Sequence, residues 1–151
     1  NIDDQIGHEI QIDPGIAAII PETYLLDVHE RLVLYKRISS AKDDNELKSL
    51  QIEMIDRFGL LPEATKNLFA TTSLKILCGK IGVNKVIIYE DKANISFDKN
   101  TSINPAKIID LIQKQQHLYQ LKGQDLLVIK KEMPLDARRI KLVKNLLNDI
   151  N

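Results

Sequence analysis

Polar and apolar residues alternate from His8 through Glu9, Ile10, Gln11 and Ile12 to Asp13, the two-residue period of a half-buried strand. Pro14-Gly15 breaks the pattern, and residues 16–20 read as a second extended stretch before Pro21. From about residue 26 to 41 the period lengthens to that of a helix. Asp27 stands near its N-cap, and Leu32, Tyr35 and Ile38 recur close to one turn apart. Residues 42–45 form a polar break rich in N-cap residue types. A second helix then runs to Phe58 and stops at Gly59, a residue with the conformational freedom that the C′ position needs. Pro62 suits the first turn of a third helix, which ends near the Gly79/Gly82 pair.

The period then shortens. Residues 83–90 and 94–98 read as strands joined by a tight polar turn around Asp91-Lys92. Asn104-Pro105 is an N-cap followed by an N1 proline, opening a short helix with Ile108, Ile109, Leu111 and Ile112. Residues 117–122 and 126–131 form a second hairpin about Gly123-Gln124-Asp125. The final helix, residues 135–150, places Ile140, Val143, Leu146, Leu147 and Ile150 on one face. Strands joined by short turns favour antiparallel pairing. The expected class is therefore α+β: a single domain of about five strands, largely antiparallel with two hairpins, and about five helices. Strand order is not legible at this level, and the chain shows no internal repeat.

Composition sharpens the picture in a few places. The 151 residues carry 21 basic and 21 acidic side chains, so the formal net charge is zero, which argues against polyanion binding over the whole surface. The 44% of apolar residues suffices for a core without staples. Little colloidal repulsion remains, as expected of a domain that rests against something else. One cysteine, Cys78, excludes an intrachain disulfide framework and suits a reducing compartment. No apolar run approaches the roughly 18 residues of a membrane span. The opening Asn1-Ile2-Asp3-Asp4 enters structure almost at once, like a piece of a longer protein with about residues 1–7 as linker.

A search for catalytic chemistry finds no constellation. No Gly-rich loop with Lys-Ser/Thr is present to cradle phosphates. His8, His29 and His117 lie far apart, and His29-Glu30 lacks the second histidine of a zinc-binding helix. All three read as solvated surface histidines. Cys78, amid Leu74, Ile76 and Leu77, reads as a small core residue.

Two helix faces carry candidate contacts. Lys130, Lys131, Arg138, Arg139, Lys141 and Lys144 gather near the C-terminal helix. They read as a phosphate-contacting strip or, better, as a solvated face with cations toward a helix C-terminus, since no aromatic is interleaved. On the second helix, Leu47, Leu50, Met54 and Phe58 fall in one stripe that faces the core. Glu46, Ser49, Glu53 and Asp56 lie opposite, with Ile52 among them. Glu53 and Asp56, one turn apart, repel each other mildly. An apolar residue flanked by carboxylates suits docking onto a basic, partly apolar surface. Composition alone favours an ordinary solvated face.

The stretch Asp27-Val28-His29-Glu30-Arg31-Leu32-Val33-Leu34-Tyr35-Lys36-Arg37-Ile38, with Glu53-Met54-Ile55-Asp56-Arg57-Phe58-Gly59-Leu60-Leu61-Pro62, resembles the C-terminal domain of bacterial transcription–repair coupling factor. The resemblance covers nearly the whole chain and weakens across residues 89–100. It implies a regulatory, non-catalytic, cytoplasmic domain of an ATP-driven duplex-DNA translocase that binds RNA polymerase and serves nucleotide excision repair. ATP belongs to the parent motor, and this domain is expected to hold no cofactor or metal. The implied partner is the N-terminal excinuclease-B-like module of the same protein, in competition with excinuclease A, the damage-recognition component of excision repair. The family's contact is acid on basic, and the matching positions are Glu53 and Asp56, with Ile52 as a third. An accessory nucleic-acid-binding domain using the basic final helix is the alternative, and a small hydrolase the weakest reading.

Overall fold

A computed structural model describes residues 9–151. The elements follow the expected order: β1 (Gln11–Asp13), α1 (Val28–Ser39), α2 (Asp44–Phe58), α3 (Glu63–Ile81), β2 (Val83–Ile88), β3 (Ala93–Phe97), α4 (Pro105–Lys114), β4 (Tyr119–Lys122), β5 (Leu126–Ile129) and α5 (Arg138–Ile150). His8, the first residue of the expected opening strand, lies outside the described residues.

Caps set the helix boundaries. The Asp27 carboxylate accepts from the Glu30 N–H at 3.1 Å, and Asp43 accepts from Glu46 N–H at 2.9 Å. The Glu46 carboxylate reaches back past the N-cap and accepts from the Lys42 N–H at 2.7 Å. Pro62 is the N-cap of α3 rather than a residue of its first turn. The helix passes through Gly79 and ends at Gly82, whose φ of 78° is left-handed. A Cβ there would stand 2.5 Å from the Thr101 Cα, so backbone conformation and crowding both demand glycine.

Residues 16–20 are not a strand. Their polar groups are taken by helices instead: Ile19 N–H donates to Ala64 O, Thr65 Oγ1 to Ile19 O, Asn67 Nδ2 to Ala17 O, and Ile20 N–H to the Tyr35 hydroxyl at 2.7 Å. In α1 the expected face is rotated. Leu32 is 62% exposed, while Leu34 and Ile38 enter the core. Residues 135–137 precede α5 as a turn, so that helix starts later than its periodicity suggests.

The sheet is mixed, in the order β1-β2-β3-β5-β4. Both hairpins and the β3–β5 pair are antiparallel, whereas β1 joins β2 in parallel. One core lies between the sheet and α3, α4 and α5. A second, built on Leu34, Ile38, Leu47, Leu50, Met54 and Phe69, lies among α1, α2 and the start of α3. Because α3 gives Phe69 to one core and Leu74 and Cys78 to the other, its apolar residues surround it instead of forming a stripe. That shared helix fixes the α1–α2 pair to the sheet.

Candidate functional site

The α2 stripe is oriented as its spacing dictates, with Leu47, Leu50 and Met54 buried. Its outer face is therefore available for display. Ile52 is 60% exposed, Glu53 half-buried and Asp56 exposed. Tyr24 pins the end of this helix, donating its hydroxyl to Gly59 O at 2.8 Å and packing edge-on against Phe58.

The two candidate carboxylates have different surroundings. Glu53 belongs to a ladder across α1 and α2: Arg37 donates to it through both terminal nitrogens, at 2.5 and 2.9 Å. Arg57, one turn along α2, approaches Glu53 at 3.4 Å and Glu30 of α1 at 3.0 Å. The Arg57 guanidinium also lies 4.7 Å from the Phe58 ring centre. The paired hydrogen bonds from Arg37 hold the Glu53 carboxyl below its ordinary range, while the Arg37 guanidinium is shifted upward. Glu53 thus has its positive partners inside the domain. The mild Glu53–Asp56 repulsion expected from spacing alone is offset by these arginines. Asp56 makes no ion pair or side-chain hydrogen bond among the described residues.

Val33, between Glu30 and Arg37 on α1, is 44% exposed, and Ile55 on α2 is 40% exposed. The displayed surface is therefore an ion-pair ladder bordered by Val33, Ile52 and Ile55, with Asp56 beside it. The Glu53–Arg57 pair was legible as an i,i+4 spacing. Arg37, Glu30 and Val33 were not, because only the antiparallel docking of α1 on α2 brings them alongside.

The basic C-terminal cluster does not form one strip. Arg139 is 2% exposed, with its guanidinium on backbone carbonyls. Lys144 turns to Asp44 and Ser73, at 3.0 and 2.6 Å. Arg138 holds Asp136, whose carboxylate also accepts the Arg138 N–H. These arginines occupy the first turn of α5, the positive end of the helix dipole, and not its C-terminus as the spacing suggested.

Cys78 is fully buried, and burial pushes its thiol up to about 12. Among the described residues, no group of His, Cys, Asp and Glu side chains is placed to hold a metal ion. No described helix is long and apolar enough to cross a membrane. A groove of about 690 Å³ beside α4 is lined by Phe97, Ile103, Ile108, Ile109 and Leu121, with Asp98 and Asp125 at its edge. It presents no nucleophile paired with a base.

The TRCF domain model matches residues 15–108. The chain is 35% identical over 150 residues to the transcription-repair-coupling factor of Haemophilus influenzae and 32% identical to that of Escherichia coli K12, with 99% of the chain covered in each case. It spans 13% of the length of either relative. A solved structure described as the C-terminal domain of transcription-repair coupling factor matches with a TM-score of 0.72 at 23% identity, covering 94% of both chains. At that identity the likeness is one of fold.

Proposed function

The chain belongs to the TRCF domain family, and on that premise we propose that residues 1–151 are the C-terminal regulatory domain of a transcription-coupled repair translocase, with about residues 1–7 as its linker. The domain packs through the outer face of α2 on the N-terminal excinuclease-B-like module of the same protein. There it masks the surface that recruits excinuclease A and restrains the motor. ATP turnover and the handling of duplex DNA and RNA polymerase are assigned to the remaining length of the parent protein. The domain itself is assigned no catalytic role.

The observation that carries this reading is the pairing of Asp56, exposed and unpartnered among the described residues, with the exposed Ile52 one turn away. An apolar patch beside an unspent carboxylate fits a basic, partly apolar partner. Glu53 supports it differently: the Arg37 fork fixes its carboxylate, so the side chain is ordered before docking and loses less entropy on contact. Asp56 is the stronger electrostatic contact, because its charge is not already neutralised.

The test is made in the full-length protein. Asp56→Ala with Glu53→Ala is expected to raise basal ATPase activity and to permit binding of excinuclease A without polymerase. Full repression, with no such binding by a correctly folded double variant, refutes the assignment.

A further inference from the structure

Strand alternation sorts the sheet residues onto two faces. Val86, Ile88, Ala93, Ile95, Leu127 and Ile129 form part of the core beneath the helices. The register places Ile87, Asn94, Val128 and Gln120 on the other face as one cross-strand row. Lys85, Ser96, Leu126 and Lys122 make the next row. None of these residues belongs to either apolar core.

The same face extends one pair past the β2–β3 ladder. Tyr89 N–H donates to Lys92 O at 2.8 Å, and the Lys92 ammonium lies 5.1 Å from the Tyr89 ring centre. Lys130, following Ile129, falls on this side by alternation. Lys85, Lys92, Lys122 and Lys130 are all exposed; on β1, Gln11 stands opposite Lys85, and Asp13 stands opposite Ile87 in the row between the lysines. The acids Glu90 and Asp91 lie out at the hairpin tip. A chain of zero net charge thus concentrates positive charge on one sheet face.

Apolar groups occupy the centre of that face. Val128 is 3% exposed, and Ile87 and Leu126 are half-buried. The Asn94 Oδ1 is buried with no hydrogen-bond partner among the described residues. We propose that this sheet face is a docking surface for an acidic amphipathic helix of a protein partner, a contact separate from that assigned to α2.

Apolar centre and charged rim are the anatomy of a protein interface. Single-stranded nucleic acid would call for aromatic rings along the middle strands, whereas Tyr89 is peripheral, with the Lys92 ammonium over its ring. Dimensions agree as well. Lys85 on β2 and Lys122 on β4 are three strand spacings apart, about 14 Å. A helix is about 10–12 Å across. Laid along β3 and β5, it would rest apolar side chains on the half-buried Ile87 and Leu126 and reach the flanking lysines with carboxylates. Lys92 and Lys130, at one end of the face, favour the negative end of the helix dipole.

The test titrates the 151-residue chain with a synthetic helical peptide of about four turns, carrying a leucine stripe flanked by glutamates. Its counterpart with every Glu replaced by Lys, and a short DNA duplex, are titrated in parallel. The acidic peptide is expected to shift the backbone amide resonances of Asn94, Ser96, Leu126 and Val128. Lys85→Glu with Lys122→Glu should weaken it about tenfold or more. Lys85→Gln with Lys122→Gln, a milder change that preserves the fold, should weaken it severalfold. The proposal is overturned if both variants bind as wild type, if the shifts map to α1 and α2, or if the Lys peptide or the duplex binds this face more tightly. Self-association through this face in sedimentation runs would overturn it equally, by assigning the surface to a second copy.

Discussion

The Arg139 guanidinium donates through one terminal nitrogen to the Pro14 carbonyl at 3.1 Å, tying together residues 125 apart in the chain. Its Nε donates to Pro134 O at 2.7 Å. Gly15 accommodates this arrangement: its φ is 69°, and a Cβ there would stand 2.2 Å from Ile88 O and 2.8 Å from the Arg139 nitrogen. One buried cation therefore ties the turn after β1 to the segment that leads into α5, while Gly15 packs close against the end of β2.

Removing that side chain leaves two carbonyls short of a donor and opens a gap. Arg139→Ala is expected to destabilise the chain by about 2–3 kcal/mol in urea unfolding. Arg139→Lys should recover little, because an ammonium cannot place two donors in the planar geometry of the fork. Arg138→Ala, changing an exposed neighbour, should leave the unfolding midpoint essentially where it is.

The α2 carboxylates should separate in the isolated domain. Asp56→Ala is expected to leave thermal stability unchanged. Glu53→Ala dismantles a ladder of half-exposed pairs, a loss held by solvent screening to at most about 1 kcal/mol. Calorimetry of the two single variants checks the order. Equal effects on stability would mean that the ladder contributes nothing.

Acid should expose the contribution of two hydrogen-bonded carboxyls. Glu53 is held low mainly by its hydrogen bonds from Arg37, and Asp44 mainly by the Ser73 hydroxyl, with Lys144 adding to it. Both carboxyls bind a proton more readily in the unfolded chain. Their stabilisation is therefore complete above their unfolded-state values and is lost as pH falls from about 4.5 through the lower folded-state values. Unfolding midpoints measured from about pH 7 to pH 3 should fall less steeply for Glu53→Gln with Asp44→Asn than for wild type. Parallel curves would contradict this.

Cys78 is expected to resist thiol reagents in the native chain at neutral pH, since it is buried and its thiol is shifted up to about 12. Labelling should follow unfolding, rising with denaturant along the same curve as circular dichroism. Rapid labelling without denaturant would place the thiol outside the core.

Local periodicity and cap chemistry were enough to order the elements. The α2 stripe, the Asn104-Pro105 helix start, the glycine stops and the buried face of α5 each depend on residues within a few positions of one another. The outward position of Ile52, Glu53 and Asp56 followed from that same helical phase. What those side chains meet did not follow from it. The partners of Glu53 include Arg37, 16 residues earlier on another helix, and the docking angle of α1 on α2 brings them together. Residues 16–20 had the apolar content of a strand but lost that form because Tyr35 and the start of α3 claimed their polar groups. Arg139 looked like one more surface cation, and only the closure of Pro14 and Pro134 over it made it a core residue. The parallel addition of β1 to β2 was likewise decided at long range. Helical phase and caps are set by neighbours in sequence, whereas burial of a charge and the partner of a strand edge are set by which distant segments arrive beside them.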